Sequence, residues 1–152
     1  MTDLHIRPAR EDDIGLMARW AEAMAWETEH KRLDLDLVTR GIRAAYADPQ
    51  RAQYYIADRA GEPVGTLMIT REWSDWRNAW WWWIQSVYVP IEQRRGGVFR
   101  ALYAHVLALA SEAPEVCGLR LYVERENVGA QRTYEFLGMA DAGYRMYEKP
   151  LI

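Results

Sequence analysis

The chain has 152 residues, with 19 Lys and Arg against 22 Asp and Glu for a net charge of -3. Hydrophobic residues are 50% and charged residues 27%, enough apolar material for one packed core, which excludes a disordered chain and a strongly basic nucleic-acid binder. A lone Cys117 excludes an internal disulfide, and no apolar run nears the roughly 20 residues that span a bilayer, so a cytoplasmic, membrane-free protein is expected.

Residues 5–7 read as a short strand, ended by Pro8, which cannot donate to a ladder. Acidic residues 11–13 open a helix whose apolar positions (Ile14, Met17, Ala18, Ala21, Met24, Ala25) carry it to about Trp26. A polar break at 27–32 precedes a second helix, capped by Asp34 or Asp36 and closed by Asp48-Pro49. From Arg51 the period changes to two. Residues 53–58 form a strand with Tyr55 and Ala57 on one face and Tyr54 and Ile56 on the other; 59–62 turn, and 64–73 return as a hairpin. After a turn at 75–78, residues 80–89 read as a long strand ended by Pro90. Residues 98–110 are the clearest helix, 119–123 a short buried strand, 127–137 a helix closed by Gly138, and 139–147 a final strand. The order predicts an α/β fold: a mixed, twisted sheet of six to seven strands with helices on both faces, in a single domain over 1–152.

The most informative stretch is Ser86 to Arg100. A strand enters a loop rich in Arg and Gly, and a helix starts there. The first amides of a helix point outward, adjacent glycines admit a ligand close to the backbone, and Arg94, Arg95 and Arg100 add positive charge. The stretch reads either as a phosphate cradle or as a tight turn with a solvated basic surface. No Gly-Lys-Ser/Thr follows and the glycine spacing is not that of a dinucleotide fingerprint, so neither common nucleotide loop is present.

Arg94-Arg95-Gly96-Gly97-Val98-Phe99 resembles the coenzyme A loop of the GCN5-related N-acetyltransferase (GNAT) superfamily, with Phe99 where that family has Gly or Ala. Phe99 is expected to turn into the core between helix and sheet. Asn127 to Met139 resembles a second family segment, with Asn127, Ala130, Tyr134 and Leu137-Gly138 in place and Met139 where Phe is usual. The two segments occur in the family's order, and the likeness covers nearly the whole chain. The resemblance implies an acetyl-CoA-dependent N-acetyltransferase acting on a small amine or a protein amine by direct transfer, without a metal. It also implies the homodimer common in the family.

The resemblance assigns roles residue by residue. Val87 and Val89 would offer strand backbone to pantetheine. Arg94, Arg95, Gly96, Gly97, Val98, Phe99 and Arg100 would hold the pyrophosphate. Asn127, already explained as an N-cap, would also touch the cofactor. Tyr134 would protonate the leaving thiolate; as a residue it reads equally as a packed helix tyrosine. The centre of the long strand carries Gln85 and Ser86 rather than a carboxylate, so the base stays open among Glu72, Glu27, Glu29, His30 and His105, each with an ordinary surface alternative. Three His and one Cys show no ligand spacing for a metal.

The composition is skewed to eight Trp and nine Tyr against two Phe, and four of the Trp are consecutive, from Trp80 to Trp83. Most read as core. Trp26, Trp73 and Trp82, with Glu27 and Glu29, are expected at the acceptor end, where an aromatic and partly acidic cleft would favour a cationic acceptor such as a polyamine, an aminoglycoside-like amine, an amino acid or a protein amine. Three other readings remain: a non-catalytic coenzyme A-binding module, a transferase for another acyl group or a hydroxyl acceptor, and a structural or dimerisation protein.

Overall fold

The computed structural model describes residues 3–152. The chain divides into two compact units, Met1–Leu121 and Tyr122–Ile152.

The first unit carries a five-stranded sheet in the order β1-β2-β3-β4-β5. The strands are β1 (Leu4–Pro8), β2 (Gln53–Arg59), β3 (Glu62–Ser74), β4 (Ala79–Tyr88) and β5 (Val116–Arg120). The first four pair antiparallel, and β4 pairs with β5 in parallel, so the sheet is mixed as expected. Its helices are α1 (Ile14–Glu29), α2 (Leu35–Tyr46) and α3 (Val98–Glu112). A short 3-10 turn, Glu11–Asp13, leads into α1.

Strand alternation explains the two layers. Ile56 and Tyr88 join Ile14, Met17, Ala18, Trp20 and Ile42 in one core under α1 and α2. Tyr55 faces the opposite side, with its ring 5.4 Å from that of His105 on α3. Helix α3 packs on β1, β2, β3 and β5, burying Val98, Leu102 and Val106. At Gly65 a Cβ would come 2.5 Å from Val98, so only glycine lets the start of α3 lie this close to β3.

Several boundaries differ from those expected. Helix α1 runs three residues past Trp26 and ends on His30 in the left-handed region, which puts Glu27 and Glu29 on its last turn rather than in a break. Asp34, not Asp36, caps α2, its carboxylate accepting from the Asp36 and Leu37 amides. Strand β5 begins at Val116 and not at 119, continuous with the Trp80 amide's bond to the Glu115 carbonyl.

The second unit contains α4 (Val128–Phe136), capped by Asn127 and closed through Gly138 at φ 97°. No strand is assigned over 139–147. Six to seven strands are therefore not confirmed; five are found among the described residues. Side-chain alternation marks faces, but a strand exists only where a ladder pairs it.

Arg7 of β1 is buried and bridges two carboxylates, Asp13 and Asp58, each at 2.7 Å. Burial alone would raise the Asp13 carboxyl, but hydrogen bonds from Arg7 and from the Arg10 amide outweigh it and hold the group below its usual value. A depressed folded pKa contributes stability above the unfolded value of about 3.9, lost as pH falls through the folded one. Asp13→Asn is expected to destabilise the protein by about 3 kcal/mol at pH 7. Urea titrations from pH 7 to 2 should show a smaller acid loss in the variant than in the parent; parallel profiles would contradict the assignment.

Candidate functional site

Strand β4 is irregular where the loop leaves it. Thr66 pairs with Tyr88 and Met68 with Gln85, so Ser86 and Val87 stand opposite the single Leu67. This is a β-bulge, and Ser86 takes φ 51° to make it. In a straight strand Tyr88 would share a face with Trp82 and Ile84. The bulge turns it to the α1–α2 face instead, where it packs on Trp20 at 6.1 Å between rings. The β4–β5 ladder runs only from Trp80 to Trp83, and β5 ends at Arg120. Within this unit, β4 beyond the bulge is paired on its β3 side.

The chain then passes Val89-Pro90, a 3-10 turn at Ile91–Gln93 and the Arg-Gly loop into α3. Arg95 (φ 69°) and Gly97 (φ 78°) are both left-handed, a twist that aims successive amides to one side. Gly97 is the N-cap of α3 and makes no side-chain cap bond, and a Cβ there would meet nothing within 4 Å. Open space thus faces the positive end of a 15-residue helix. The residues present fit the pyrophosphate of coenzyme A: glycine at the mouth, exposed Arg95 and Arg100, and the first helical amides. Phe99 is half-buried on α3, 6.1 Å from the Tyr103 ring, and Val98 takes the core position expected of it.

A side chain with no sequence signal holds this loop. Arg59, at the end of β2, donates to Gln93 Oε1 at 2.7 Å and to the Gly96 carbonyl at 3.0 Å. Arg94, in contrast, points away from the loop mouth. Its Nε donates to the Val89 carbonyl at 2.8 Å and its other nitrogen to Glu27 at 2.6 Å. The second Glu27 oxygen accepts from the Tyr88 hydroxyl at 2.5 Å. Arg94 and Tyr88 hold the Glu27 carboxyl below its usual value, while burial and Glu27 push the Tyr88 phenol up to about 12. Glu27 is therefore held toward its ionised form as a tie between α1 and the loop, which makes it a weaker base than an ordinary carboxylate.

Beside the bulge lies a cavity of about 230 Å³. Helices α1 and α2 line it with Met17, Trp20, Met24, Val38, Gly41 and Ile42. The sheet contributes Tyr54, Thr66, Ser86 and Tyr88. Of these, sequence places only Trp20 near the acceptor end, because the bulge that gathers the others leaves no mark in composition or period.

The other expected residues are dispersed. Trp26 is stacked by Arg32 at 3.9 Å and edged by His30, and Glu29 pairs with Lys31 on the surface. Trp73 is half-exposed against Trp80, and Trp82 is buried on the α3 face under Arg71, away from the cavity. Glu72 accepts from Trp83 and from Arg120, both at 2.9 Å. It stands five residues along β3 from Leu67, about 17 Å at the rise of a strand. His105 is on the α3 face, and Cys117 donates its thiol to the Trp80 carbonyl.

In the second unit Asn127 accepts the Ala130 amide at 3.2 Å, so its capping role is as expected. Tyr134 is half-buried on α4, and burial pushes its phenol pKa up. Among the described residues no group of three His, Cys, Asp or Glu could hold a metal ion, and no helix is long and apolar enough to cross a membrane.

Comparison with known proteins gives two kinds of match. The model of the acetyltransferase (GNAT) family matches residues 15–139. A solved structure of a possible acetyltransferase from Clostridium difficile 630 is 42% identical, with TM-score 0.91 and 98% of each chain covered. A GCN5-related N-acetyltransferase from Ralstonia eutropha JMP134 shares the fold at 22% identity, TM-score 0.79, over 98% of this chain and 99% of that one. So does a predicted acetyltransferase from Clostridium acetobutylicum, crystallised with acetyl-CoA, at 16% identity, TM-score 0.78, over 97% and 96%. No curated protein sequence matches.

Proposed function

Because this chain belongs to the acetyltransferase (GNAT) family, we propose that it moves an acetyl group from acetyl-CoA to a primary amine by direct transfer in a ternary complex. The observation that carries the reading is the left-handed Arg95 and Gly97 backbone in front of the uncapped start of α3. Coenzyme A would supply the activated thioester. The amides from Gly97 to Arg100 and the charges of Arg95 and Arg100 hold its pyrophosphate, with Gly96 and Phe99 shaping the loop and Asn127 as a further contact. Arg94 has a positioning role, through the Val89 carbonyl and Glu27. The backbone of Val87 and Val89 flanks the pantetheine arm. Tyr134 is the general acid: a phenol is protonated at neutral pH, burial only strengthens its hold on the proton, and that proton goes to the departing thiolate. No carboxylate is assigned as base. Glu72 is held by Trp83 and Arg120, Glu27 by Tyr88 and Arg94, so the amine reacts from its neutral fraction and loses its second proton to solvent.

A thermal-shift titration tests the cofactor half of this reading. Acetyl-CoA at 100 times its Kd should stabilise the native state by about 2.7 kcal/mol, and adenosine alone by far less. No shift at millimolar acetyl-CoA would overturn it.

A further inference from the structure

We propose that the acceptor is a small primary monoamine carrying one apolar group, seated in the cavity beside the Ser86 bulge, and that Gly41 sets the size of that group. The inference rests on the transferase reading and deepens it.

None of the residues lining the cavity carries a formal charge. A carboxylate or a second ammonium would be buried there without a counter-charge, which disfavours amino acids and polyamines. Glu27 accepts from the lining Tyr88 hydroxyl but is outside the lining and paired with Arg94. The acidic cleft expected from sequence therefore reduces to one carboxylate whose charge Arg94 already matches. Size agrees with charge. Benzene fills an apolar cavity of about 150 Å³, so 230 Å³ takes an aryl or branched alkyl group with a short amine tail and is too small for an aminoglycoside. The hydroxyls of the lining, on Tyr54, Thr66, Ser86 and Tyr88, all come from the sheet side. Thr66 donates its hydroxyl proton to the Tyr55 carbonyl, which leaves its lone pairs to accept from a neutral amine next to the bulge.

Gly41 is the independent observation. It sits in the interior of α2, where glycine is the poorest helix former short of proline. Packing does not require it, since a Cβ there would meet nothing within 4 Å. Its effect is to leave the cavity wall open.

The test measures acetyl transfer to phenethylamine, isoamylamine, ethylamine, leucine, spermidine and a lysine peptide, for the parent, Gly41→Ala and Gly41→Leu. Phenethylamine and isoamylamine should lead in kcat/KM by about tenfold or more. Gly41→Leu should raise the phenethylamine KM by about tenfold and spare both ethylamine and the KM for acetyl-CoA. Gly41→Ala should raise Tm, which verifies that α2 keeps its fold. Preference for spermidine, leucine or the peptide, or a phenethylamine KM indifferent to Gly41→Leu, would overturn the proposal. Calorimetric titration of phenethylamine separates the two levels. Binding that Gly41→Leu abolishes, with no turnover of any amine, would support the ligand class and overturn the transferase reading.

Discussion

Gly97→Val should weaken acetyl-CoA binding by about 100-fold, equivalent to about 2.7 kcal/mol. Two causes add. The backbone at φ 78° is open to glycine, and an L side chain there costs roughly 1–2 kcal/mol, most for a branched one. The new side chain also enters the open space in front of α3, where the proposed pyrophosphate sits. Gly97→Ala separates the causes: it carries the strain with little bulk. Urea unfolding should place both variants within about 2 kcal/mol of the parent, while calorimetric affinity falls much further in the valine variant. Equal affinity in all three proteins would remove the loop from the cofactor site.

Tyr134→Phe should lower kcat by about 100-fold and leave the acetyl-CoA Kd within about twofold of the parent. The half-buried ring is kept and only the hydroxyl group is lost. Burial sets the sign of the pH dependence. The phenol pKa lies above its ordinary value near 10, so the parent keeps this acid protonated through neutrality and beyond. The variant should lose rate across the whole range rather than on one limb. Unchanged turnover would return Tyr134 to a packing role.

Much of this molecule is legible in the chain. Local chemistry announces Asp34 and Asn127 as caps, Gly138 as a helix stop, and the two faces of β2, because each depends on neighbours a few residues away. The strand–loop–helix from Ser86 to Arg100 is legible for the same reason. What escapes reading is set by distance along the chain. Arg59 reaches Gly96 across 37 residues, and nothing near Arg59 signals it. The bulge at Ser86 arises from a mismatch of register with β3, and it turns Tyr88 to the face where the cavity forms. The tryptophans show how a compositional signal misleads about place. Trp73, Trp80 and Trp82 lie on the α3 face and Trp81 and Trp83 on the other, along the half of the hairpin away from the bulge. Only Trp20 lines the cavity. Trp26, Glu29 and Trp82, expected at one end, are drawn into separate local contacts instead.

The central claim is direct acetyl transfer to an amine, and one measurement meets it squarely. The protein is mixed with acetyl-CoA and a panel of primary amines, and free thiol and acetylated amine are quantified together by thiol assay and mass spectrometry. The account predicts equimolar thiol and acetylamine, saturation in both substrates, and no acetyl group on the protein. Tight acetyl-CoA binding without thiol release for any amine, or an acetylated enzyme formed before the amine is added, would contradict it.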